Sequence, residues 1–152
     1  GDFTVALWVK AAELRRGGLV VAGAPNYTHG WYLDLPGGNG AFRLETTGPD
    51  DGNSSVSSPS GVLKAKTWTH LAAVVRRGKG QTRLYVNGFL VAEGSIGAAN
   101  LDNPKLPLVL GRLAGAPSLA GEMDEVRLYR RALDPAGLQA LIEPGRRFAV
   151  AP

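Results

Sequence analysis

The chain of 152 residues contains no cysteine, which excludes disulfides, thiolate metal sites and cysteine nucleophiles. Its histidines are two, His29 and His70, and no H-E-x-x-H metal motif or G-x-S-x-G nucleophile elbow can be found. Gly78-Lys79-Gly80 lacks the leading glycine and the trailing Ser or Thr of a phosphate loop. No apolar run approaches the ~20 residues of a membrane-spanning helix, and Gly1-Asp2-Phe3 opens neither a basic nor an apolar leader segment. Charge of one sign is also scarce: 17 basic against 13 acidic residues leave a formal +4. Four arginine pairs (Arg15-Arg16, Arg76-Arg77, Arg130-Arg131, Arg146-Arg147) are dispersed and not interleaved with stacking aromatics, a pattern that excludes a nucleic-acid groove. They read either as solvated turn charges or as forks for sulfate and carboxylate oxygens of an anionic polysaccharide.

What the chain has in quantity is glycine (21) and proline (10), hence many turns and few long helices. At this length one domain with a single core is expected over residues 1–152. Phe3 to Lys10 alternates, with Phe3, Val5, Leu7 and Val9 on one face and Thr4, Ala6, Trp8 and Lys10 on the other. Leu19 to Ala22 is a second strand. Trp31, Leu33 and Leu35 alternate with Tyr32 and Asp34, and across the turn at Pro36-Gly37-Gly38-Asn39-Gly40 the segment Ala41 to Thr47 returns with Arg43 and Glu45 outward. Gly48 to Ser60 is polar apart from Val56 and reads as a loop or a weak edge strand. Trp68 to Arg76 is a core strand. Asn87-Gly88 between apolar runs signals a tight hairpin, because both central residues of a type I′ turn need positive φ. Leu106 to Leu110 and Glu122 to Tyr129 complete the strands. Asp134 caps a helix with Pro135 at its first position and Leu138, Leu141 and Ile142 in i, i+3, i+4 spacing, ended by Pro144-Gly145. The expected fold is all-β, a two-sheet antiparallel sandwich of the jelly-roll kind with one short C-terminal helix.

F-T-V-A-L-W-V-K (Phe3 to Lys10), G-W-Y-L-D-L (Gly30 to Leu35), W-T-H-L-A-A-V-V (Trp68 to Val75), R-L-Y-V-N-G-F-L-V (Arg83 to Val91), L-V-L-G-R (Leu108 to Arg112) and G-E-M-D-E-V-R-L-Y-R-R-A-L (Gly121 to Leu133) occur in an order that resembles laminin-G-like domains of the concanavalin A-like lectin/glucanase superfamily. The resemblance covers nearly the whole chain. It implies a jelly roll of two curved sheets, an extracellular or cell-surface location, and neighbouring domains in the same polypeptide. Family members normally carry a strand ahead of the F-T-V segment, so either an edge is open here or the 144–152 tail fills it through Arg147-Phe148-Ala149-Val150, which is expected to lie along the sheet with Phe148 buried.

Glycosidases of that superfamily use paired carboxylates about 5 Å apart for retention. Glu122 and Asp124 share a face here, but the closing Glu of either catalytic pattern is replaced, by Val126 or by Arg127, so a non-enzyme is expected. Val126 and Leu128 both face the core only if a bulge interrupts the strand near Asp124-Glu125. Calcium, which takes several oxygens, is the metal the chain could hold: at Asp50-Asp51-Gly52-Asn53, at Asn100-Leu101-Asp102-Asn103, or, as the resemblance implies, at Asp124. For the Asp- and Asn-rich clusters the turn reading is preferred, since Asp, Asn and Gly are what turns are made of. Pyranose rings stack on exposed aromatic faces. Trp31 and Trp68 read as core, which leaves Trp8, Tyr27, Tyr32 and Tyr85. The candidate ligand-binding set is Tyr27, His29, Tyr32, Asp34, Arg43, Arg83 and Tyr85, taken as an outward face of aromatics and mixed charge; the alternative is an ordinary solvated sheet face. Two functions follow: a non-catalytic carbohydrate-binding or adhesion module, or a structural or protein-interaction domain without a glycan ligand.

Overall fold

The computed structural model describes residues 1–48, 52–97, 101 and 105–143; the expectations for Asp50, Asp51, Asn100, Asp102, Asn103 and the 144–152 tail lie outside the described residues. Strands β1 (Phe3–Ala11), β2 (Gly17–Gly23), β3 (Gly30–Leu35), β4 (Arg43–Gly48), β5 (Gly52–Ser57), β6 (Thr69–Arg76), β7 (Gln81–Val86), β8 (Phe89–Ser95), β9 (Val109–Leu110) and β10 (Gly121–Tyr129) precede one helix, α1 (Pro135–Ile142). They form two five-stranded sheets, in the orders β10-β1-β6-β7-β8 and β5-β4-β3-β2-β9, and every pairing is antiparallel. The first is called the helix-side sheet below and the second the loop-side sheet.

Strand alternation sends one set of side chains from each sheet into the space between them. Val5, Leu7 and Val9 of β1 and Leu71, Ala73 and Val75 of β6 meet Leu19, Val20, Leu33, Leu35 and Leu44 in one buried cluster. Asn87 (φ 49°) and Gly88 (φ 84°) both lie in the left-handed region, the geometry that a type I′ hairpin turn requires.

One lateral side of the sandwich is closed where Ser54 Oγ accepts from the Gly97 N–H at 3.1 Å. The other side presents the edges of β9 and β10. There Leu110 opposite Val20 and Leu128 opposite Val5 take core-facing positions yet remain 49% and 51% exposed. Beside Leu128 a cleft of ≈500 Å³ opens against Phe3 and Trp31, whose rings lie 5.2 Å apart.

The outward faces depart most from expectation, because neither is an open solvated face. On the helix-side sheet, Ala6 pairs with Ala72, and these two short side chains leave a shallow shelf. Leu138 and Leu141 of α1 pack in one cluster with them, Val74 and Tyr85. Thr4 fixes the approach: its hydroxyl donates to Arg131 O at 2.8 Å and accepts from Leu133 N–H at 3.0 Å. Asp134 Oδ1 then caps the helix through Gly137 N–H at 2.8 Å. The loop-side sheet is covered over β2 by the segment that follows β9. A Cβ on Gly18 would stand 2.4 Å from Arg112 O, so only glycine admits that backbone.

Gly48 to Ser60 is more regular than its polarity suggests: β5 pairs with β4 over its whole length, since Val56 alone turns inward, opposite Leu44, while Asn53 and Ser55 stay in solvent. Trp68, read as core, falls just outside β6 and is half-exposed, with Lys10 Nζ 5.3 Å from its ring centroid. Trp8, a candidate platform, is buried.

Leu138 is fully buried in the cover of the helix-side sheet. Leu138→Ala is expected to lower stability by about 2–5 kcal/mol, the range for a large-to-small change at a fully packed site, and thermal or urea unfolding checks it.

Candidate functional site

Five of the seven sequence-picked residues come together on the outward face of the loop-side sheet. Alternation puts Tyr32 and Asp34 of β3 outward, and the register sets them opposite Glu45 and Arg43 of β4. Arg43 holds Asp34 in a fork, Nε to Oδ1 at 3.0 Å and Nη2 to Oδ2 at 2.7 Å, and Nη2 also meets Glu45 Oε2 at 2.9 Å. The hydrogen bond to Asp34 is the main reason the Arg43 pKa rises above its ordinary value; burial opposes it, and the charges of Asp34 and Glu45 add to it. Such a bidentate pair fixes both orientation and register.

Next to this pair a tight loop builds an aromatic stack. Ala24 N–H donates to His29 O at 2.8 Å and Tyr27 N–H to Ala24 O at 3.0 Å. Tyr27 adopts φ 58°, an uncommon backbone for a side-chain-bearing residue, and this places its ring 4.8 Å from that of Tyr32, stacked at 29°. Tyr32, opposite Val21 on β2, fits because its ring extends over Gly23, where a Cβ would stand 2.4 Å from Tyr32 Cζ. The Tyr32 hydroxyl donates to Ala24 O at 2.7 Å, and burial pushes its pKa up. The Tyr27 hydroxyl donates to Ala114 O at 3.3 Å and accepts from Arg16 Nη2 at 3.4 Å. Between this loop and the post-β9 segment lies a pocket of ≈280 Å³, with Val21, Tyr32, Val109 and Leu113 among its lining and Tyr27 and Arg112 at its sides.

The expected single face of aromatics and mixed charge is therefore two faces on opposite sides of the molecule. Tyr27, His29, Tyr32, Asp34 and Arg43 share the loop-side face. Tyr32 (1% exposed) and Asp34 (0%) are buried, not outward into solvent, because the loop and the post-β9 segment cover the strand ends. Arg83 and Tyr85 belong to β7 in the helix-side sheet; Tyr85 packs under α1, and Arg83 Nε pairs with Glu93 Oε2 at 2.6 Å. Val109, Arg112 and Leu113 were not picked out, since nothing local in a Gly-, Pro- and Leu-rich stretch signals that it will fold back over β2.

The helix-side face carries the carboxylates. Glu122 and Asp124 lie opposite Lys10 and Trp8, and between Asp124 and Arg127 the register shifts by one residue. Glu125 takes φ 49°, so the expected bulge is present and Val126 returns to the core. Glu122 is tied to Lys10 at 2.6 Å and Glu125 to Arg127 at 2.8 Å, while Asp124 Oδ1 accepts from Glu125 N–H at 2.7 Å. Two of the three carboxylates here are thus neutralised by cations. Among the described residues no group of three His, Cys, Asp or Glu could hold a metal. Asn53, the described member of the Asp50-Asp51 cluster, stands exposed on β5.

A laminin G family model, described as the concanavalin A-like lectin/glucanases superfamily, matches residues 1–139. Among curated protein sequences none matches significantly. The fold is similar to the binding domain of Paraclostridial mosquitocidal protein 1, with a TM-score of 0.77 and 19% identity, covering 95% of this chain and 37% of that one. The receptor-binding domain of botulinum neurotoxin type G gives a TM-score of 0.73 and 11% identity over 95% and 38%. A protein from Bacteroides ovatus, provisionally described as carbohydrate-binding, gives 0.67 and 22% over 91% and 40%. The chain thus spans well under half the length of these structures.

His70, on the same outward face as Trp8 and Asp124, is 3% exposed with its ring edge-on to Trp8 at 5.4 Å. Its Nδ1 has no hydrogen-bond partner among the described residues. Burial, aided by the positive charge of Arg127, lowers its pKa from 6.5 to about 4. A base depressed in the folded state leaves that state the poorer proton binder. Its stabilising contribution is full above pH ~6.5 and is lost as the pH falls towards 4, by up to ~3 kcal/mol. Wild type is expected to lose about that much more stability than His70→Gln between pH 7 and pH 4, read from urea midpoints; parallel profiles would count against it.

Proposed function

Since the chain belongs to the concanavalin A-like lectin/glucanase superfamily, we propose that it is a non-catalytic carbohydrate-binding module, with its site at the Tyr27–Tyr32 pocket on the loop-side face. The observation that carries this reading is the stack itself. Tyr32 is buried against the sheet and serves as a floor, while Tyr27 is only half-buried and is held rigidly by its loop and by its hydroxyl contact to Ala114. An aromatic ring fixed before ligand arrives lowers the ordering cost of binding, and its apolar face suits the C–H face of a sugar ring. A volume of ≈280 Å³ lies just below the usual ~300–1,000 Å³ of small-ligand sites, which suits one sugar residue rather than a long subsite row.

Catalysis finds no support in the carboxylates: the third position of the glycosidase pattern is Arg127, and Glu122 and Glu125 are each tied to a cation. Some proteins of similar fold are binding domains by description, and the proposal extends that role to this chain, placed outside the cell within a longer polypeptide. A second reading, a protein-interaction domain, draws on the other lateral side, where Leu110 and Leu128 are half-exposed on two strand edges and Leu128 borders the ≈500 Å³ cleft; edges that are unpaired among the described residues invite strand addition.

Titration calorimetry with a panel of neutral and acidic oligosaccharides tests the proposal. Tyr27→Ala is expected to weaken binding about tenfold, the loss of one aromatic stacking contact. Arg83→Ala, on the opposite side of the molecule, is expected to leave it unchanged. Absence of binding across the panel would overturn the proposal in favour of the interaction domain, as would equal effects of the two substitutions.

A further inference from the structure

The pocket's polar groups are nearly all spent before a ligand arrives. The Tyr32 hydroxyl is committed to Ala24 O and the Tyr27 hydroxyl to Ala114 O. The Asp34 and Glu45 carboxylates beyond them are committed to Arg43. The rest of the interior is alkyl, from Val21, Pro25, Val109 and Leu113. A bare sugar hydroxyl pushed into such a lining would lose its water without gaining a partner, which is costly. A methyl-bearing substituent would lose nothing.

The rim has the opposite character. Arg112 lines the pocket and is exposed, and Arg16 reaches Tyr27 from the neighbouring turn. Neither makes an ion pair among the described residues, whereas Arg15, Arg43, Arg83 and Arg127 all do. Among the described residues no carboxylate lines the pocket. Guanidinium groups without an ion-pair partner among the described residues, set beside an apolar cavity, favour an anion, and their planar fork matches a carboxylate.

Building on the proposed carbohydrate site, we infer that its ligand is an acidic sugar carrying an acyl group. The acyl methyl enters the alkyl interior beside Leu113 and Val109, the ring lies against Tyr27, and the carboxylate faces Arg112 and Arg16. The two requirements come from two different parts of the pocket and can be separated.

The test is calorimetric or NMR titration of the full chain with four methyl glycosides, those of N-acetylneuraminic acid, glucuronic acid, N-acetylglucosamine and glucose. These cover acid with acyl, acid alone, acyl alone and neither. The acylated acid is expected to bind about tenfold more tightly than glucuronic acid or N-acetylglucosamine, which each lack one of the two contacts, and about a hundredfold more tightly than glucose, which lacks both. Arg112→Gln, a change at an exposed side chain, is expected to bring the acylated acid to within about twofold of N-acetylglucosamine measured on the same variant. Four equal affinities, or a preference that survives Arg112→Gln, would overturn this inference and leave the carbohydrate site standing. Failure of all four to bind, together with failure of the oligosaccharide panel, would remove the site itself.

Discussion

The loop-side face depends on the register of β3 against β4, and that register is held by Arg43 gripping Asp34. A one-residue slip in a strand turns every side chain to the other side of the sheet: Trp31, Leu33 and Leu35 would leave the core and Tyr32 would enter it. The apolar alternation opposes such a slip from inside the sandwich, and the ion pair opposes it from outside. Buried pairs of this kind add little net stability against an apolar replacement, but a fork with one geometry discriminates strongly between alternatives. Once Tyr32 is placed, Gly23 must be glycine, the 24–29 loop closes over the ring, and Tyr27 has somewhere to stack.

The two outward faces are finished in different ways. On the helix-side sheet a row of alanines leaves room for α1, and a threonine at one end of β1 fixes the chain entering the helix. On the loop-side sheet Gly18 admits backbone instead of side chain, and the covering segment leaves a cavity where it meets the tyrosine loop. The first cover is dense and apolar; the second is incomplete, and its gap is the pocket. The same difference explains why Tyr85 and Tyr32, alike in strand position, serve one as packing and the other as a floor.

Much of the fold could be read from local pattern. The inward sets of β1 and β3, the Asn87-Gly88 turn, the Asp134-Pro135 helix start and the bulge near Glu125 all follow from alternation, φ preference or capping chemistry, which are properties of neighbouring residues. Periodicity says which side of a strand faces away from the core, but not what lies on that side. For this reason Tyr32, Asp34, Tyr85 and Trp8 read as open to solvent, although all four are buried: the 24–29 loop stacks Tyr27 on Tyr32, Arg43 holds Asp34, and α1 covers Tyr85. The grouping of Tyr27, His29, Tyr32, Asp34 and Arg43 was legible because a single hairpin and its leading loop carry it. Arg112 and Leu113 were not, since their part in the site depends on a contact with Gly18 and Tyr27 across most of the chain.

That contact ties the pocket to the state of the whole molecule. Tyr27 and Ala114 are 87 residues apart in sequence, so the two segments meet only when the whole intervening chain is closed into a loop. Closing so long a loop carries an entropic cost that no local hairpin recovers, so a partly folded chain can hold a sound β3–β4 hairpin and still have no cavity. Whatever occupies the pocket therefore recognises only the completed sandwich. Occupancy then adds to the stability of strands it never touches, and a destabilising change anywhere in the core becomes, at the pocket, a loss of apparent affinity.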